Sequence, residues 1–209
     1  MSTTTTTHTP LTLKDILGDL EVPELSPEES ALAEAILRGD DTVEVPELLL
    51  EEILVETDPK FEVAKGLAQR IKDMPTGQRI KLAFKGGREA RSILLRDSNR
   101  LVKRLVLQNP RISEDELVIL ARNKAEDREM IEMVAKNSDW TKSYQLRHAL
   151  VCNPKTPMPT AIRFVATLQD REVRQLAKSK NVPSSVSSTA KRVLLQRSGT
   201  TGGGGGGGH

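Results

Sequence analysis

Aromatic residues are nearly absent from this chain: Phe61, Phe84, Trp140, Tyr144 and Phe164 make up 2% of its 209 residues. A β-sandwich normally draws on more aromatic and β-branched side chains than that. A core here must therefore be assembled from Leu, Ile, Val, Ala and Met, which is easiest between closely packed helices. Cysteine is scarcer still. The single Cys152 excludes an intramolecular disulfide and leaves no cysteine-rich zinc framework, which fits a reducing compartment. Long apolar runs are missing as well, since none approaches the roughly 18 residues of a membrane-spanning helix. Met1-Ser2 followed by Thr3 to Thr7 has neither the basic stretch nor the apolar core of a secretory signal. The expectation is a cytoplasmic protein with no membrane partner.

What the chain does have is charge, and the two signs are segregated. Residues 1 to 60 carry 15 Asp/Glu against 3 Lys/Arg, leaving 14 Asp/Glu and 28 Lys/Arg for residues 61 to 209, so a net charge of +2 conceals balances of −12 and +14. This pattern reads as an acidic arm joined to a basic domain. Four stretches follow from composition: a tail over 1–10, an acidic arm with short helices over 11–57, a basic helical domain over 58–197, and a glycine-rich tail over 198–209. The two tails have no apolar pattern to offset the entropy of ordering.

In the arm, helices are expected over Leu11 to Leu20, Pro27 to Arg38 and Pro46 to Val55. Ser26-Pro27-Glu28-Glu29 has the order of a helix start, with a serine cap, proline in the first helical position and glutamate in the third. The pentapeptide Glu21-Val22-Pro23-Glu24-Leu25 recurs 23 residues on as Glu44-Val45-Pro46-Glu47-Leu48. It reads either as repeated turn chemistry, proline being a common helix opener, or as a duplicated motif that docks on a partner.

From Phe61 onward apolar residues recur at three- and four-residue spacing in ten short segments: Phe61 to Met74, Thr76 to Lys85, Arg88 to Leu95, Ser98 to Gln108, Glu114 to Arg122, Asp127 to Lys136, Lys142 to Val151, Pro157 to Leu168, Arg171 to Ser179 and Ser185 to Gln196. Asparagines fall where these helices should stop: Asn109, Asn123, Asn137, Asn153 and Asn181, at intervals of 14, 14, 16 and 28. Asparagine tolerates the left-handed backbone that ends many helices, and the prolines of Asn109-Pro110 and Asn153-Pro154 block continuation. Ser113 with Glu116, Thr156 before Pro157, and Ser184 after Pro183 are expected to cap the helices that follow.

A unit of about 14 residues per helix and 28 per pair suits stacked helical arrays, in which no unit buries its apolar stripe alone. In this period and these helix ends, the region from Thr76 to Gln196 resembles the HEAT, armadillo and leucine-rich-repeat-variant class of α-solenoids. The resemblance implies an all-α, irregular solenoid-like array of short antiparallel helices. Strict alternation would put the Asn-Pro endings after Gln108 and Val151 in opposite layers. Either a helix is inserted near Asp127 to Lys136, or the array is irregular.

No catalytic constellation emerges from the residue pattern. His8 and His209 lie in the tails, His148 falls within a helix, and no metal site is expected. Cys152 ends an apolar run, where a small buried hydrophobe is its ordinary role. Gly86-Gly87-Arg88 follows a helix rather than a strand and reads as a turn, not a phosphate loop. No cofactor is expected.

The basic residues say more. Arg100, Lys103 and Arg104 share one helix face, Arg171, Arg174 and Lys178 share another, and Arg88 and Arg91 stand near the start of the array with Arg79, Lys81 and Lys85. Trp140 is a candidate anchor for a partner. The expected function is a non-enzymatic adaptor whose basic surface takes an acidic protein segment, the acidic arm acting as tether or internal competitor. The rival is a sequence-tolerant DNA or RNA binder autoinhibited by that arm, although few aromatics are present to stack on bases.

Overall fold

The computed structural model describes residues 26–50 and 61–201. The expected helix over Leu11 to Leu20, the first copy of the pentapeptide and the tail 1–10 lie outside them, as do residues 51–60 and 202–209. Among the described residues the protein is all-α, with eleven α-helices and no strand: α1 (Pro27–Arg38), α2 (Phe61–Lys72), α3 (Thr76–Lys85), α4 (Arg88–Leu94), α5 (Arg100–Leu107), α6 (Glu114–Arg122), α7 (Arg128–Lys136), α8 (Tyr144–Cys152), α9 (Met158–Val165), α10 (Asp170–Lys178) and α11 (Ser184–Thr201). Short 3-10 turns occupy Glu47–Leu49 and Trp140–Lys142. No described helix is long and apolar enough to cross a membrane.

Helix starts follow the expected chemistry. Ser26 and Glu29 satisfy each other's backbone amides at the head of α1, and Ser113 and Glu116 do the same for α6. Asn99 caps α5 and Ser143 caps α8. Thr156, expected to cap the helix after it, instead donates back to the Leu150 carbonyl at 2.6 Å.

The helix ends use asparagine differently from the expectation. Asn123, Asn137 and Asn153 have φ of −73°, −74° and −92°, and Gly39 (φ 84°) is the one left-handed residue among those described. The side-chain oxygen makes this possible. In Asn109, Asn123, Asn137 and Asn153, Oδ1 accepts from the amide two residues on, at 2.9 to 3.1 Å, so the chain turns within extended backbone. Ser179 plays this part after α10 through Oγ, which accepts from the Asn181 amide.

The chain divides into two compact units between Ile112 and Ser113. In the first unit, helices two apart in sequence lie side by side: α1 on α3, α3 on α5, and α2 on α4. The amide of buried Asn109, at the end of α5, donates to Ala83 O (3.1 Å) and Gly86 O (3.4 Å) at the end of α3. Residues 26–50, expected within a separate acidic arm, pack in this unit. Ala33, Ile36 and Leu49 are buried in it, and the second copy of the pentapeptide is seated there, with Gln78 donating to Glu44 O and the Gly87 amide to Leu49 O.

The second unit repeats the arrangement. α6 lies beside α8 and α9 beside α11, while α6–α7, α8–α9 and α10–α11 pack as consecutive pairs. Buried Asn153, at the end of α8, donates to Ala121 O (2.7 Å) and Asn123 O (3.2 Å) at the end of α6, the same hook that Asn109 forms on α3. Its core is aliphatic, with Leu117, Met130, Ile131, Leu146, Leu150, Val165, Val173 and Val186 buried. The last helix reaches Thr201, past Ser198 where the tail was expected.

Candidate functional site

Charges near the start of the array serve the fold. Arg79 grips Asp97 through both carboxylate oxygens, at 2.7 and 2.6 Å. Lys81 meets the Asp41 carboxylate at 2.6 Å, with Lys85 at 3.9 Å, and also donates to the Val43 carbonyl. The Asp41 side chain is only 2% exposed. Burial pushes its carboxyl up, but the Lys81 bond and charge, the Val43 amide and Lys85 outweigh burial and hold it below its ordinary value. Part of the acidic segment thus meets basic residues within the first unit.

The site residues expected in this unit do not form one surface. Arg88 and Arg100 are exposed and Lys103 is half-buried. Arg91 is 1% and Arg104 5% exposed, so neither stands on the surface expected of it. Arg91 lies under the α3–α4 turn, its guanidinium donating to Gly86 O at 3.1 Å, where a cation also complements the end of α3. Arg104 is drawn inward because α5 buries Leu101, Val102, Leu105, Val106 and Leu107 along with it. Three- and four-residue spacing places 100, 103 and 104 at neighbouring angles; it does not say how wide the buried arc is.

Trp140 is half-buried in its 3-10 turn, its amide donating to Asn137 Oδ1 at 3.2 Å. It lies apart from the residues lining the two clefts of the second unit.

The first cleft, about 300 Å³, lies between α8 and α10 and is lined by Lys124, His148, Cys152, Glu172 and Leu176 among others. His148 Nε2 is 4.0 Å from Cys152 Sγ. Burial, with Arg122 nearby, lowers the His148 imidazole below its ordinary value. Burial also raises the Cys152 thiol, against the opposing pull of Lys124 and Arg122. Both shifts favour the neutral forms, the reverse of an activated thiolate–imidazolium pair. Glu172 is engaged by the Tyr144 hydroxyl. Among the described residues no three His, Cys, Asp or Glu side chains gather as metal ligands.

The second cleft, about 660 Å³, runs between α10 and α11 and is lined by Asp170, Arg174, Lys191, Leu194, Leu195, Arg197 and Ser198. Arg197 ties α11 down, bonding Asp170 at 2.5 Å and donating to Ala166 O and Leu168 O. Arg171, Arg174 and Lys178 form the expected stripe along α10, and all three are exposed. Of that stripe Arg174 lines the cleft, together with Lys191 of α11. Leu195, which lines the same cleft, is 72% exposed, one of two large hydrophobics so exposed among the described residues. The α10 stripe is legible in the sequence; the exposure of Leu195 is not, because it depends on which face of α11 packs against α9 and α10.

Compared with protein-family models, with curated proteins and with solved structures, the chain matches none.

Proposed function

We propose that this protein is a non-enzymatic interaction adaptor, a helical-repeat protein of the HEAT, armadillo and leucine-rich-repeat-variant kind, whose α10–α11 cleft takes an acidic segment of a protein partner. What supports this reading is one juxtaposition: a highly exposed leucine, Leu195, lines the same cleft as Arg174 and Lys191, and Arg171 and Lys178 are exposed on the helix that carries Arg174. Interfaces draw affinity from a desolvated apolar centre and specificity from the polar rim. The side-by-side packing of helices two apart, hooked by Asn109 and Asn153, is what supports the repeat class.

The experiment is a binding series with the full-length chain, using a labelled acidic peptide with leucines at helical spacing, random duplex DNA and single-stranded RNA as probes. The expected result is peptide binding that Arg174→Glu with Lys191→Glu abolishes and that salt weakens modestly. Nucleic-acid binding that instead falls by about 10³ to 10⁵ between 50 and 200 mM salt, the signature of 6–10 phosphate contacts, would overturn the adaptor reading in favour of a polyanion binder.

A further inference from the structure

The geometry of the cleft between α8 and α10 points to a second site in this protein, one that holds a soft monovalent metal ion, copper(I), between His148 Nε2 and Cys152 Sγ. The two residues stand four apart on α8, so their side chains leave the helix on one face. Both are half-buried, whereas Leu146, Ala149, Leu150 and Val151 of the same helix go into the core. Both line a cleft of about 300 Å³, room for an ion and several waters.

Their separation sets the coordination. At first-row bond lengths, about 2.3 Å to sulfur and about 2.0–2.1 Å to an imidazole nitrogen, an ion bridging the pair in a straight line spans about 4.3–4.4 Å, and at the tetrahedral angle about 3.5–3.6 Å. The observed 4.0 Å falls between the two, an angle at the metal of about 130–135° for those lengths. So open an angle suits an ion with two or three ligands rather than four.

The donors select the ion. Thiolate sulfur favours copper(I), and imidazole accepts it. Glu172, the carboxylate of the same cleft, is engaged by the Tyr144 hydroxyl, and among the described residues no third His, Cys, Asp or Glu joins the pair. Calcium or magnesium would need about six oxygen ligands, and a structural zinc ion would lack two of its four. Charge points the same way. Lys124 lines the cleft, and Lys124 and Arg122 both act on the Cys152 sulfur. Copper(I) bound to one thiolate and one imidazole is neutral, so these cations do not repel the filled site, whereas zinc(II) on the same pair would keep a positive charge beside them. As the ion enters, the thiol releases its proton to solvent and its sulfur bonds the metal. The imidazole, which burial keeps neutral, binds through the Nε2 lone pair, and no electron is transferred.

The test uses the full-length reduced chain and copper(I) held by the colorimetric chelator bicinchoninate, with loss of the chelator's colour as the readout. The parent chain is expected to withdraw one equivalent of copper. Cys152→Ser, which removes the one thiol of the chain, should withdraw none. His148→Gln should weaken binding about tenfold or more, since even residues that only support a metal ligand are worth about 10–100-fold in affinity. Circular dichroism of each variant confirms that it is folded, and X-ray absorption of the loaded parent should show one sulfur and at least one nitrogen neighbour. A parent chain that takes no copper from the chelator overturns the inference. So does a His148→Gln chain that binds as tightly as the parent, because the thiol alone would then hold the ion, and so does a Cys152→Ser chain that still withdraws it.

Discussion

At the scale of single residues, asparagine gives the sharpest case. Asn153 holds three groups at once: its amide donates to Ala121 O and Asn123 O, and its oxygen accepts from the Lys155 amide. Asn153→Ala leaves these partners without a bond in a buried place, and should cost about 1–3 kcal/mol. Asn123 is exposed and its side chain bonds only within its own turn, so Asn123→Ala, which keeps the backbone carbonyl, should cost no more than about 1 kcal/mol. Denaturant midpoints of the two variants check the ordering. The sequence placed both residues at helix ends but could not separate them, because spacing marks where a helix stops and not which turn is covered by a neighbour.

His148 carries a prediction in pH. Burial holds the folded imidazole below its ordinary value of 6.5, so between the folded and unfolded values the unfolded chain binds more protons. Stability is therefore fully present above about pH 6.5 and declines as pH falls below it. His148→Gln removes this contribution. Denaturant midpoints at pH 7.5 and 5.5 should show a larger acid loss in the parent chain than in the variant, and equal losses would sink the argument.

At the scale of elements, the helices were the most legible feature of the sequence. Pro27–Arg38, Thr76–Lys85 and Glu114–Arg122 begin and end where periodicity and caps put them, because proline, serine–glutamate boxes and glycine act locally. Which face of a helix meets solvent is decided by neighbours far along the chain. Hence Arg91 and Arg104 went inward while the α10 stripe stayed out. The α10–α11 pair yields a prediction that separates folding from binding. Leu195 is so exposed that Leu195→Ser should shift stability by less than about 0.5 kcal/mol. As the apolar centre of the cleft, the same change should weaken the acidic peptide by about tenfold or more. Thermal unfolding and peptide titration of one variant give both readings, and an unchanged affinity would remove Leu195 from the interface.

At the scale of the whole molecule, the segregation of charge visible in the sequence divides by role once the chain is folded. Residues 1 to 60 look uniformly acidic, yet within residues 26–50 the acid serves packing: Asp41 binds Lys81, and α1 lays Ala33 and Ile36 against the first unit. Salt screens an ion pair at the surface, but it does not weaken burial of aliphatic side chains. Two truncations, of residues 1–25 and of residues 1–57, separate these roles. Removing residues 1–25 keeps α1 and the Glu47–Leu49 turn in the chain and serves as the reference. Removing residues 1–57 strips α1 and the Glu47–Leu49 turn from α3 and α4, and should cost several kcal/mol, at about 1.5–3 kcal/mol for each buried Ile or Leu lost. Hydrogen exchange of α3 and α5 in the two truncations, at 50 and 500 mM salt, checks both halves. Equal protection in the two would mean that residues 26–50 contribute nothing to the first unit. A loss confined to the longer truncation and insensitive to salt is the outcome that aliphatic packing requires.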